Sequence, residues 1–339
     1  MEEILIGIDL GGKFVKICKI LNLDKKKNEY SIISAVVDIS GSSDVERADK
    51  LSAVLKKISC LRDSVYLAVG GKDIINRDIS IKRNNSVSLK EQVNSEALNS
   101  ISEDLGKMYT SYAVMKNDSD KDYDVIFSAA PMEKVNAKFS FINSIESLSV
   151  AGVTLEDFAL ANAFIEFGPK YKNNENIILI NIGYTSSNVI VLNSKELVFI
   201  KDIDFGGQDI TRDISAFFSV PEKLSEELKR RDDLRQKINF NMKNVLKKNV
   251  AVLIETLFRT IEHCITRQFI VSVDRIVLTG GGAMTEGIDN FIQDTLGIPT
   301  EKWNPLDNNK FVGYVNKPQG FFLPVALGLA LEKEKKANV

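Results

Sequence analysis

A single histidine, His263, and three scattered cysteines, Cys18, Cys60 and Cys264, are all the chain holds of the residues that most often carry nucleophilic or zinc chemistry. A histidine-based triad or a His/Cys zinc cluster therefore has almost no raw material. The cysteines form no CxxC pair, and an odd, sparse set fits buried thiols in a reducing compartment. His263 lies in an apolar helical pattern beside Cys264, the setting of a packed residue. Long apolar runs are missing too. Ile4–Ile8 is cut off by Asp9, and Phe321–Leu331 contains Pro324 and falls well below the ~20 residues that span a bilayer. The short apolar start does not read as a signal peptide, so a cytoplasmic chain is expected. Nor does charge of one sign dominate. A formal net charge of −2 argues against a general nucleic-acid binder. The clusters Lys25–Lys27 and Lys333–Lys336 read as solvated loop and tail.

What is present is glycine in a particular place. Ile8-Asp9-Leu10-Gly11-Gly12-Lys13, Asn181-Ile182-Gly183-Tyr184-Thr185 and Leu278-Thr279-Gly280-Gly281-Gly282-Ala283 each follow a run read as a buried strand. Those runs are Ile4–Ile8, Ile177–Ile182 and Arg275–Leu278. A strand ending in an acidic or amide residue and then glycine lets backbone N–H groups approach a phosphate closely. One such turn is only a turn. Two in separate halves, with a third Gly-rich turn after, suggest a nucleotide gripped between two lobes, and 339 residues suffice for two cores.

Periodicity gives strands at 4–9, 14–21 and 31–38 with a polar turn Asn22–Asn28, a helix Asp44–Ser59 and a strand Ser64–Val69. Then follow a strand Ile74–Lys82 and a helix Ser88–Leu105 opened by Ser88 and Glu91 at capping-box spacing. Strands Tyr109–Met115 and Tyr123–Ala130 flank the loop Lys116–Asp122, and a helix runs from about Pro131 to Ser149. This stretch reads as a small inserted α+β module. The second lobe repeats the opening of the first with strands Ile177–Ile182, Ser187–Leu192 and Glu196–Asp202, the last two joined at Asn193–Lys195. The repeat is one of architecture, not of sequence. Helices are expected at 210–218, 221–231, 238–269, 284–296 and 318–334, with Arg275–Leu278 as the last strand.

Together with Val15-Lys16, Ala129-Ala130-Pro131-Met132-Glu133-Lys134-Val135, Val153-Thr154-Leu155-Glu156-Asp157-Phe158-Ala159-Leu160-Ala161 and Phe205-Gly206-Gly207-Gln208-Asp209, these motifs resemble the actin-like ATPase superfamily. Within it the chain is similar to the PilM family of type IV pilus assembly, on the FtsA/PilM branch, almost end to end. The resemblance implies an α/β, RNase H-like two-lobed fold. Residues 1–72 with 149–174 and the helix 318–336 would form the first lobe, and 73–148 the inserted subdomain. The second lobe would span 175–317, with a helical part at about 208–272. ATP or ADP and Mg²⁺ would occupy the cleft. Gly11, Gly12 and Lys13 would face Gly183, Tyr184, Thr185 and Ser186 across the phosphates. Asp9 would hold Mg²⁺ through water, as a hard carboxylate suits a hard cation, and Lys16 would add positive charge. Gly206 and Gly207 would turn the backbone tightly at the cleft base. Gly280, Gly281, Gly282 and Ala283 resemble the adenosine wall, although a helix-initiating turn explains them equally. Glu226 and Lys229 match the helix that reaches the ribose, or an exposed helical face. Glu156 matches the position that orients the attacking water, and equally suits a first-turn carboxylate favoured by the helix dipole.

The middle motif departs from the pattern, with Asn181 where the family usually has Asp. Asparagine keeps a carbonyl but loses the charge that tightens metal binding, and Tyr184 is bulky for a phosphate turn. Binding with weak or no hydrolysis is expected. The implied function is a cytoplasmic scaffold of pilus or related secretion assembly, joined to the inner membrane through the short cytoplasmic tail of a PilN-like bitopic protein. Self-association is left open. The alternatives are an FtsA-like division filament, whose usual C-terminal amphipathic helix is not seen, and a small-molecule kinase of the same fold.

Overall fold

Two five-stranded sheets with the same topology face each other through their strand ends. The structure, a computed structural model, describes residues 6–24, 27, 29–60, 64–115, 122–145, 148–172, 174–231, 233–234, 242–313 and 315–332. In the first sheet β1 (Ile6–Leu10), β2 (Phe14–Asp24) and β3 (Glu29–Asp38) form an antiparallel meander. Helix α1 (Asp44–Lys57) crosses over to β4 (Ser64–Val69), parallel to β1, and β8 (Ser149–Leu155) adds beside β4, giving the order β3-β2-β1-β4-β8. The second sheet repeats this with β9 (Asn176–Ile182), β10 (Ser187–Asn193), β11 (Glu196–Ile203), β12 (Arg275–Thr279) and β13 (Thr300–Lys302) in the order β11-β10-β9-β12-β13. Its β9–β12 and β12–β13 pairs are likewise parallel. Two turns at the carboxyl ends of parallel strands, the usual ligand position in open α/β sheets, are thus the first two glycine motifs.

A third sheet, β5 (Ile75–Lys82), β7 (Asp122–Pro131) and β6 (Met108–Val114), lies in the order β5-β7-β6. One face packs α2 (Leu89–Ser100) through Val93 and Ala97 onto Ile79, Ile81, Val125 and Phe127, and the other buries Ile126 and Ala130 in the main core. Helix α3 (Met132–Asn143), though within the span 73–148, buries Ile142 among Leu51 and Leu55 of α1 and Val65 and Leu67 of β4. The second lobe carries α5 (Gly207–Phe218), α6 (Glu222–Arg230), α7 (Met242–Asn249), α8 (Ala251–Thr266) and α9 (Ile288–Leu296). Between the sheets run α4 (Glu156–Phe167) and the short α10 (Pro324–Leu329). They cross closely because Gly328 has no side chain: a Cβ there would collide with the Ala159 carbonyl oxygen. Among the described residues no helix is long and apolar enough to cross a membrane.

Several elements differ from the sequence reading. Strand β8 is additional, because Gly152 hides a β pattern; a Cβ there would strike the Tyr66 ring on β4, so glycine is required for the pairing. Arg275–Leu278 is not the last strand, since the three-residue β13 pairs beside it and is too short for any periodicity. Strand β2 runs through the expected polar turn to Asp24, and α2 ends at Ser100, before Leu105. The expected helix 238–269 is divided at Val250, where the Asn249 side chain donates to the Val245 carbonyl (3.0 Å); its residues 238–241 lie outside the described ones. A 3₁₀ turn, Lys317–Phe322, precedes α10, and Pro324 sits at its first position, where proline costs no hydrogen bond. Residues 333–336 of the expected terminal helix, with the basic tail, also lie outside the description, as do residues 25, 26, 28 and 116–121 of the two expected loops.

Candidate functional site

The two hairpin turns stand face to face across a cleft of about 450 Å³. In the β1–β2 turn the Gly11 N–H donates to the Phe14 carbonyl (3.2 Å); in the β9–β10 turn the Gly183 N–H donates to the Ser186 carbonyl (2.9 Å). Those closures leave the N–H groups of Gly12, Lys13, Tyr184 and Thr185 without a backbone partner among the described residues. A Cβ on Gly12 would touch Tyr184 and Thr185 at 3.8 to 3.9 Å, so the turns approach within van der Waals reach. Gly206 and Gly207 brace the second turn from behind: the Gly207 N–H donates to Gly183 (2.9 Å) and the Gln208 N–H to Tyr184 (2.8 Å).

Side chains close the mouth between the lobes. Lys13 Nζ donates to Glu222 Oε1 (3.0 Å) and lies 5.0 Å from the Tyr184 ring centroid, while the Tyr184 hydroxyl donates to the same carboxylate oxygen (3.0 Å). Those two hydrogen bonds hold the Glu222 carboxyl below its ordinary range. Burial and then the Glu222 contact push the Tyr184 phenol up to about 12. Deeper, the buried Asp9 accepts from Lys16 Nζ through Oδ2 (2.9 Å). Glu156, at the first position of α4, lies against Gly70. Burial raises its carboxyl, offset partly by Lys138, while the charge of Asp9 adds to the rise. The floor is completed by Asn181, whose Nδ2 donates to Asn188 Oδ1 (3.0 Å).

On the far side Gly280 has φ +86°, and a Cβ would collide with Asn181 Oδ1 and the Ile182 carbonyl. Only glycine fits there. Lys229 is almost fully buried and donates to Gly207 O (3.1 Å), Thr211 Oγ1 (2.8 Å) and Glu226 Oε1 (2.8 Å). Burial lowers the Lys229 pKa. Burial also opposes ionisation of Glu226, but Lys229, Thr211 and Arg230 together hold its carboxyl below the ordinary value. An exposed helical face is therefore the wrong description of this pair.

The structure brings Asp9, Gly11, Gly12, Lys13, Lys16, Glu156, Asn181, Gly183, Tyr184, Thr185, Ser186, Gly207, Glu226, Lys229, Gly280, Gly281 and Gly282 to one cleft. Gly206 and Ala283 stand outside its lining: Gly206 caps α5 beneath the Tyr184 carbonyl, and Ala283 is fully buried. Sequence reasoning missed Lys134 and Lys138 of α3, Glu222, Asn188 and Phe322, which also line it or close it. Lys134 lay inside a quoted motif without a role. Phe322 packs edge-on against Phe14 (centroids 5.3 Å apart), a contact between distant segments that no local pattern announces.

The cleft architecture matches known proteins. A solved structure titled PilM-PilN type IV pilus biogenesis complex aligns over 98% of both chains with a TM-score of 0.78 and 19% identity. The ethanolamine utilization protein EutJ from Carboxydothermus hydrogenoformans aligns over 96% of this chain and 88% of its own, with a TM-score of 0.52 and 13% identity. Ta0583, an archaeal actin homolog, covers 96% and 98% with a TM-score of 0.50 and 12% identity. The fold is thus the actin-like one that the sequence motifs resemble. Residues 7–334 match the family described as type IV pilus assembly protein PilM, nearly the whole chain, and the protein belongs to that family.

Proposed function

We propose that this chain is a nucleotide-held scaffold of type IV pilus assembly, with ATP or ADP and Mg²⁺ in the cleft and hydrolysis weak or absent. The observation that carries this reading is the pair of opposed hairpin turns whose N–H groups at Gly12, Lys13, Tyr184 and Thr185 have no backbone partner among the described residues. Such N–H groups suit phosphate oxygens. Glycines 280–282 line the same cleft beside Glu226 and Lys229, held to glycine by the protein packed against them, Gly281 by Phe322 and Gly282 by Ile182. Asp9 and the Asn181 carbonyl are oxygen donors suited to hydrated Mg²⁺. Among the described residues no cluster of three or more His, Cys, Asp or Glu is placed to hold a metal. A divalent ion would therefore arrive with phosphates, where it supplies charge neutralisation. Lys16 would hold Asp9 in place, and Glu156 is the group available to accept a proton from water. Asn181 gives that water no second anionic neighbour.

The second part of the proposal is a peptide site for the cytoplasmic tail of a PilN-like bitopic membrane protein. A groove of about 380 Å³ is lined by Tyr109 and Thr110 of β6, Leu155 of β8, Phe139 of α3 and Phe158 of α4. Both β6 and β8 are sheet edges. An extended peptide could add to an edge through its main chain and fill the apolar lining with alternate side chains. Membrane attachment would be indirect, through that partner.

The test is calorimetric titration of the purified chain with ATP, ADP and the tail peptide, followed by phosphate-release kinetics. Nucleotide and peptide should bind independently of any membrane, and turnover should stay below ~0.1 s⁻¹, slow against ordinary enzymes. Absence of nucleotide binding, or turnover well above that rate, would overturn the corresponding half of the proposal.

A further inference from the structure

The charge absent from position 181 is present two strands away. Asn181, Asn188 and Asp202 lie side by side on β9, β10 and β11, with Asn188 opposite Asn181 in one pairing and opposite Asp202 in the other. Their hydrogen bonds run one way: Asn181 Nδ2 donates to Asn188 Oδ1 (3.0 Å), and Asn188 Nδ2 donates to Asp202 Oδ1 (2.8 Å). An ionised carboxylate only accepts. Asp202 therefore dictates the direction of the row. Asn188 must turn its NH₂ to the carboxylate and its carbonyl to Asn181. Asn181 must spend its NH₂ on Asn188, which leaves its Oδ1 on the cleft side, against Gly280. The reversed row would set the Asn188 carbonyl oxygen against a carboxylate oxygen.

We infer that Asn188 and Asp202 are positioning residues that set the polarity of the Asn181 side chain, presenting its carbonyl oxygen rather than its NH₂ to the hydrated Mg²⁺ of a bound nucleotide. The inference rests on the nucleotide reading above and names how a site without the usual aspartate keeps an oxygen facing the cation. The setting of Asp202 makes the device sensitive. Among the described residues its Oδ2 has no hydrogen-bond partner, and the oxygens of the neighbouring buried Asp157 have none within bonding distance, although Asn188 lies near enough to favour its charged form. Burial and then Glu156 push the Asp202 carboxyl up to about 7, against Asn188, Lys134 and Lys201. A protonated Asp202 can donate as well as accept, and then no longer dictates the direction.

The experiment measures the affinity of a fluorescent ATP analogue at pH 8, in EDTA and across a Mg²⁺ series. The variants are Asp202→Asn, Asn181→Asp, their double, and the exchange Asn188→Asp with Asp202→Asn, with thermal melts of each. An asparagine at 202 carries a donor and an acceptor, so Asp202→Asn should lower the Mg²⁺ enhancement about fivefold, one hydrogen bond's worth, while affinity in EDTA stays unchanged. The exchange returns an acceptor-only group beside Asn181 and should restore the enhancement. In the Asn181→Asp background, where position 181 has no polarity to set, Asp202→Asn should have no effect. Mg²⁺ dependence unaltered by Asp202→Asn, an equal loss in EDTA, or an equal loss beside Asn181→Asp would each overturn the inference and leave the nucleotide reading intact. Failure of the wild type to bind nucleotide at all would overturn the reading and the inference with it. If Asp202→Asn does not fold, the exchange variant alone decides: wild-type Mg²⁺ enhancement supports the inference, and its loss in a folded protein overturns it.

Discussion

Gly12 separates a functional glycine from a structural one. A Cβ added at Gly7 or Gly328 would strike backbone, whereas one added at Gly12 meets nothing nearer than 3.8 Å, and the backbone there is not in the left-handed region. Nothing in the fold demands glycine at this position; the space is open because the cleft is. Gly12→Asp should therefore fold with a melting temperature close to wild type. It would set a carboxylate between the two turns, where like charge repels phosphate at short range, and weaken nucleotide binding tenfold or more, on the order of 1.4 kcal/mol. Titration of the fluorescent analogue beside a thermal melt checks both halves. At Asn181 the argument concerns charge alone. Asn181→Asp keeps the shape and should raise phosphate release above wild type, measured in the same purified preparation at saturating Mg²⁺. An unchanged rate would mean that Glu156, or the closure of the cleft, limits turnover instead.

Among elements, the first turn of α4 is the most loaded, because Glu156 and Asp157 are consecutive, and Asp202 on β11 lies near. Burial, then the charge of Asp202, drives the Asp157 carboxyl well above the ordinary carboxylate range, and Asp202 itself titrates near 7. Groups raised in the folded state bind protons that the unfolded chain releases. Their stabilising contribution is complete below the unfolded value of about 4 and is lost as pH rises through about 7. The protein should thus melt a few degrees lower at pH 8 than at pH 6, and Asp202→Asn should flatten that slope; calorimetric scans at both pH values would show it. A wild-type stability that rises over this window would contradict the assignment.

The same elements mark what the sequence could disclose. The Ser88–Glu91 capping box and the strand-glycine turns are local devices, written in residues a few positions apart, and the structure has them where expected. Strand β8 was hidden by a glycine that exists for a neighbour's ring. The Asn181–Asn188–Asp202 row depends on which strands pair and in what register, a relation that no single stretch of sequence contains. Lys229 read equally well as solvated, since nothing local says that Gly207 and Thr211 would come to cover it. Sequence proximity carried the turns; lateral contact between strands and helices carried the rest.

For the molecule as a whole, the decisive feature is that the cleft and the groove share their walls. Lys134 and Lys138 of α3 line the cleft, while Val135 and Phe139 of the same helix line the groove. Val69 and Gly70, consecutive at the end of β4, divide in the same way, as do Glu156 and Phe158 at the start of α4. Lys138 is fixed at the junction, donating to the Ala68 carbonyl (2.6 Å). A peptide wedged against Phe139 and Phe158 cannot shift α3 without moving the two lysines, and a phosphate drawing on those lysines cannot move α3 without reshaping the groove. The tail peptide of the PilN-like partner should therefore bind with an affinity that nucleotide changes about fivefold or more, the lower end of ordinary coupling energies. Reciprocity requires the peptide to change nucleotide affinity by the same factor. Lys138→Ala, which removes the tie at the junction, should leave each ligand able to bind alone and reduce the coupling. Four titrations, each ligand with and without the other, measure it in wild type and variant. For each ligand, a wild-type affinity unchanged by the other would show that α3 holds the cleft and the groove rigidly apart.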